Sequence, residues 1–107
     1  MYQERLNRIA TIKELSNTLD EFYKTELTFR NHCYLRIAFD NTIGDKWDLS
    51  IKRPFVKHAD DRQIANVLDL LNLYRNDKNS LLVDNQKSLF FRKKQKHNQK
   101  TKTPQLF

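Results

Sequence analysis

Gly44 is the only glycine in this chain of 107 residues, and Pro54 and Pro104 are its only prolines. Tight hairpins, phosphate-cradling loops and dinucleotide-binding turns all draw on glycine, whose missing Cβ admits backbone angles that other residues avoid. A chain with one such position is poorly supplied for β-sandwiches, P-loops and nucleotide-binding turns, which leaves helices as its natural architecture. The length suits one domain rather than two. Folding at this size removes roughly two-thirds of the extended chain's surface from water, enough for one modest core. Only 38% of the residues are hydrophobic and 31% are charged, yet seven phenylalanines, four tyrosines and one tryptophan argue against wholesale disorder.

The apolar pattern agrees with helices. Leu6, Ile9, Ile12, Leu15, Leu19, Phe22 and Tyr23 recur at spacings of three and four, which predicts an amphipathic helix over about residues 3–29. In the next segment, NHCYLRIAFDNTIGDKW over 31–47, apolar side chains point in nearly every direction around a helix, the mark of a buried one. A buried strand would also suit CYLRIAF, but no second strand-like run stands ready to pair with it. Gly44 sits where that helix should stop in a left-handed conformation. Residues 48–59 then read as an extended connector, with Ile51, Phe55 and Val56 packing down and Lys52, Arg53 and Lys57 facing out. Asp60 and Gln63 form a capping box ahead of Ile64, Val67, Leu68, Leu71 and Tyr74, predicting a helix over 60–76. A last helix over about 79–93 is expected to start at Asn79 or Ser80 and to bury Leu82, Val83, Leu89 and Phe90, leaving Phe91 partly exposed.

Charge is distributed unevenly. Residues 1–90 hold fourteen Lys and Arg and all thirteen acids, a balance of +1, so six of the seven units of net positive charge come from Arg92, Lys93, Lys94, Lys96, Lys100 and Lys102. With no apolar periodicity after Phe91, this segment is expected to be flexible, and the chain divides into a helical domain over 1–94 and a disordered basic tail over 95–107. Such a tail attracts phosphates without reading bases. Its alternatives are a purely solubilising extension and a membrane-surface contact with Leu106 and Phe107 as a minimal anchor.

His32, Arg36 and Asp40 fall at i, i+4 and i+8, one stripe of a helix, with Arg36 and Asp40 spaced for an ion pair. Charges on so apolar a helix need partners, for which Asn41, the Trp47 indole N–H, Asn85 and the connector backbone are candidates. The stripe reads either as a structural clasp or, with Asn41, Trp47 and Arg53, as a pocket for an anion. Cys33 is adjacent to His32, which on a helix points about 100° away, so it reads as a small buried hydrophobe rather than a nucleophile. One cysteine cannot form an internal disulfide, and the three scattered histidines repeat no zinc-ligand spacing with it. The polar beginning of the sequence and the lack of any long apolar run point to a cytoplasmic protein with no membrane span.

The segment NHCYLRIAFDNTIGDKW, with Arg53, Pro54 and Phe55 and the capped helix after it, resembles a group of small uncharacterised bacterial proteins, some encoded near mobile elements. These share an NHCY-RIA-DN-type segment and an R-P dipeptide. The resemblance covers residues 29–92 and marks Arg36, Asp40, Asn41, Trp47 and Arg53. Some similar sequences carry an acetyltransferase label, which implies a group-transfer enzyme with an anion pocket around Arg36 and Asp40. This chain departs from that label, having no Gly-rich pyrophosphate loop.

The expectation is thus an all-α domain of three or four helices and a flexible basic tail. Its expected function is a non-catalytic accessory role with no cofactor, contacting nucleic acid or an acidic protein surface through Lys52, Arg53, Lys57, Arg92, Lys93, Lys94, Lys96, Lys100 and Lys102. The alternatives are a protein-interaction module dimerising through its first helix, and the group-transfer enzyme.

Overall fold

A computed structural model describes the backbone of residues 2–102 and the side chains of 3–94. Five α-helices make the fold: α1 (Tyr2–Phe22), α2 (Asn31–Ile43), α3 (Phe55–His58), α4 (Asp61–Asn76) and α5 (Lys78–Lys102), with a 3-10 turn at Trp47–Leu49. No strand occurs among the described residues, and none of their helices is long and apolar enough to cross a membrane. The all-α expectation holds.

The helix whose sequence is apolar all round, α2, lies at the centre, touching α1, α4 and α5. Its Tyr34, Ile37 and Ala38 are fully buried against Leu19 of α1, Ile64, Val67, Leu71 and Tyr74 of α4 and Leu81 of α5. It ends at Gly44, whose φ of 83° is left-handed and whose amide donates to the Asp40 carbonyl at 2.7 Å. The Asp60–Gln63 capping box forms in both directions at the start of α4. Arg5 reaches from α1 to Asp61 and to the carbonyls of Val56 and Ala59, tying the first helix to the entry of α4.

Several expectations need correction. The first helix stops at Phe22 rather than near 29. Tyr23 turns inward and donates its hydroxyl to the Tyr74 carbonyl at 2.7 Å, while Leu27 and Phe29 pack on the core from irregular chain. Leu6 and Phe22, read as part of the buried face, are exposed. The connector is not extended throughout, since it folds into the 3-10 turn and α3. The cap of α5 is Asp77, which accepts from the amide and hydroxyl of Ser80 at 3.2 and 2.9 Å, rather than Asn79 or Ser80.

The largest correction concerns the face that α5 turns inward. Leu82, Val83, Leu89 and Phe90 are all exposed, Phe90 at 63%, while Leu81, Asn85 and Ser88 are buried and Phe91 half-buried. Flexibility expected from Phe91 onward does not describe 91–94, which belong to α5. The flexible tail expected over 95–107 lies outside the residues whose side chains are described.

Candidate functional site

Asp40 is fully buried on the last turn of α2, where its carboxylate accepts four hydrogen bonds. Oδ1 accepts from the backbone amide of Trp47 at 2.9 Å and from Nη2 of Arg92 at 3.2 Å. Oδ2 accepts from Oγ of Ser88 at 2.6 Å and from Nε of Arg92 at 2.8 Å. Four donors occupy essentially all the lone-pair directions of a carboxylate, and the paired guanidinium meets its charge. The expected ion pair with Arg36 is therefore replaced by one with Arg92, 52 residues away. Trp47 does contribute to Asp40, but through its backbone amide rather than its indole N–H, and among the described residues no hydrogen bond reaches Asp40 from the 48–59 connector.

Arg36 turns instead to Asn85 of α5, donating to its side-chain oxygen. Burial first, and then the field of Arg92, holds its guanidinium below the usual arginine range, against the opposing fields of Cys33 and Asp40. Asn41 bridges the carbonyls of Ile37 and Asp84 at 2.8 and 2.9 Å. Tyr74 of α4 donates to the Asp84 carboxylate at 2.7 Å. These contacts explain the inverted packing of α5. The helix is held to α2 and α4 by Asp84, Asn85, Ser88 and Arg92, polar residues whose partners were not legible as a set in the linear sequence. His32, placed on the same stripe as Arg36 and Asp40, is exposed and apart from this network.

Asp48 lies in the 3-10 turn that opens the connector. Its carboxylate pairs with Arg53 at 2.6 Å and Lys46 at 3.7 Å, and it also feels the field of Arg92. Burial pushes the Asp48 carboxyl up, but the Arg53 hydrogen bond and the fields of Lys46, Arg53 and Arg92 outweigh it and hold the group below the usual carboxylate range. Arg53 also lies over the Trp47 ring, 5.0 Å from its centroid. The expected basic residues thus sort by use. Arg53 and Arg92 are committed to internal carboxylates, whereas Lys52, Lys57, Lys93 and Lys94 are exposed with no ion pair among the described residues. Lys96, Lys100 and Lys102 lie outside the described side chains.

A second feature had no signal in the sequence. An apolar cleft of about 510 Å³ opens between α1, α2 and the start of α3, lined by Ile9, Ile12, Leu35, Phe39, Pro54 and Phe55, with Lys13 at its edge. Its floor is the stacked pair of Phe39 and Phe55, with ring centroids 4.0 Å apart. None of His32, Arg36 and Asp40 lines it. No group of three or more His, Cys, Asp or Glu side chains that could hold a metal occurs among the described residues. Among known proteins, no family model, curated protein or solved structure matches the chain.

Proposed function

We propose that the protein is a non-catalytic accessory protein that contacts nucleic acid through cations of the connector and of the C-terminal half of α5. The observation that carries this reading is the shared carboxylate Asp40, which accepts from the Trp47 amide at 2.9 Å and from Nε of Arg92 at 2.8 Å and so sets the 3-10 turn that opens the connector, with Lys46 and Arg53 paired to its Asp48, beside the basic half of α5. Asp40 and Asp48 neutralise the two arginines, and the exposed lysines beside them in sequence, Lys52, Lys57, Lys93 and Lys94, remain available to phosphates. Lysines that act as point charges on a backbone attract DNA or RNA without reading sequence. The group-transfer reading has less support. Its central carboxylate is sealed from solvent with its acceptor positions filled from within the protein.

Fluorescence anisotropy with labelled single- and double-stranded DNA and RNA tests the proposal. If about four phosphates are neutralised, raising salt from about 50 to 200 mM should weaken binding on the order of 100-fold. Charge reversal of Lys93 and Lys94, or of Lys52 and Lys57, should weaken it at low salt while leaving the melting temperature in place. Absence of binding at low salt, or an affinity indifferent to salt, would overturn the proposal.

A further inference from the structure

The polar anchoring of α5 leaves an unpartnered apolar stripe on its other side. Leu82, Val83, Leu89 and Phe90 are exposed, and Asn79, Gln86 and Lys93 lie on the same face at helical spacing. The molecule is only 17 Å thick along its shortest axis, so a helix buried on one side presents the other to solvent. Four large apolar side chains gathered on three turns make a patch of the size that marks interaction sites, on the order of a few hundred Å².

We infer that this stripe is the interface of a two-fold symmetric homodimer in which α5 of one copy lies antiparallel to α5 of the other, crossing at Gln86. The residue order supports a second copy as the occupant. The apolar pairs 82–83 and 89–90 are placed symmetrically about position 86. Antiparallel pairing centred there sets Leu82 against Phe90 of the other copy and Val83 against Leu89, each contact occurring twice, as a closed two-fold interface requires. The Gln86 amides then meet on the axis, where each carries both a donor and an acceptor, and a polar pair inside an apolar seam fixes register.

Charge favours the same arrangement. The edges of the stripe carry Lys78, Lys87 and Lys94, of which Lys78 is paired to Glu26 at 2.7 Å and Lys87 to Asp84 at 3.8 Å, and the stripe itself carries Lys93 and no acid. A parallel pair would set Lys93 against Lys93, whereas the antiparallel pair sets it against Asn79 and sends the two cationic ends apart. The exposed large apolar residues of α1 among those described, by contrast, are Leu6 and Phe22 near its opposite ends, which form no continuous face. A patch of a few hundred Å² per copy falls at or below the small end of specific interfaces. The dimer should therefore be weak and concentration-dependent.

Sedimentation velocity on the full chain, from about 1 to 200 μM, should show a shift from monomer to dimer with a dissociation constant in the micromolar range or somewhat weaker. Phe90→Glu should abolish the shift while leaving the circular-dichroism melt unchanged, because the side chain touches solvent in the monomer. In a Cys33→Ser background, Gln86→Cys should cross-link readily on oxidation, and mixed Leu82→Cys and Phe90→Cys chains should cross-link to each other faster than either does to itself. A monomer at the highest concentration, a dimer that survives Phe90→Glu, or preferential cross-linking of Leu82→Cys to itself would overturn the inference. Added salt should leave the dimer in place, which separates it from phosphate binding.

Discussion

A carboxylate with no exposed surface is stable in its charged form only when donors and a counter-charge reach it from within the fold. Asp40 meets this requirement with the Trp47 amide, the Ser88 hydroxyl and the Arg92 guanidinium, joining α2, the 3-10 turn and α5 at one point. The tyrosines show the opposite balance of costs. Tyr34 is fully buried, and its hydroxyl has no hydrogen-bond partner among the described residues, whereas Tyr74 donates to Asp84. Tyr34→Phe should thus raise stability near neutral pH by up to about 1 kcal/mol, while Tyr74→Phe should lower it by a similar or larger amount. Urea unfolding checks both. Burial first, aided by nearby Asp20 and other groups, raises the Tyr34 phenol to about 12. A raised pKa adds stability that is complete below the unfolded value near 10 and lost as pH climbs through the folded value. Tyr34→Phe should therefore flatten the stability profile between about pH 10 and 12. An unchanged slope there would refute the assignment.

At the scale of elements, what was legible in the sequence is what local chemistry determines. The α4 capping box, the apolar sequence of α2 and the stop at Gly44 rest on residues within a few positions of one another, and each is found in the fold. Gly44→Ala should cost about 1 kcal/mol, since a Cβ there meets no neighbouring atom but must adopt a φ of 83°. A shift in the urea midpoint with unchanged slope reads this out. The inward face of α5 was not legible, because the apolar residues suggested one face while polar partners on α2 and α4 select the other. Spacing suggested an Arg36–Asp40 pair by the i, i+4 rule, but that rule ranks only local partners. It carries no information about an arginine 52 positions on. The exposed apolar stripe of α5 is the direct consequence.

For the whole molecule, one network of side chains thus determines both what is buried and what is offered to a partner. Asp40 and Arg92 hold the polar face of α5 down, which turns Leu82, Val83, Leu89 and Phe90 outward and sets the 3-10 turn that opens the connector beside the basic half of the helix. A double-mutant cycle tests this most directly. Asp40→Asn and Arg92→Met would be measured singly and together by urea unfolding, beside the same cycle with Arg36→Met. The Asp40–Arg92 coupling should reach about 2 kcal/mol or more, with each single variant strongly destabilised, and the Asp40–Arg36 coupling should stay under about 1 kcal/mol. A larger coupling to Arg36 than to Arg92 would contradict the account, because α5 would then not be held by the clasp that sets its orientation.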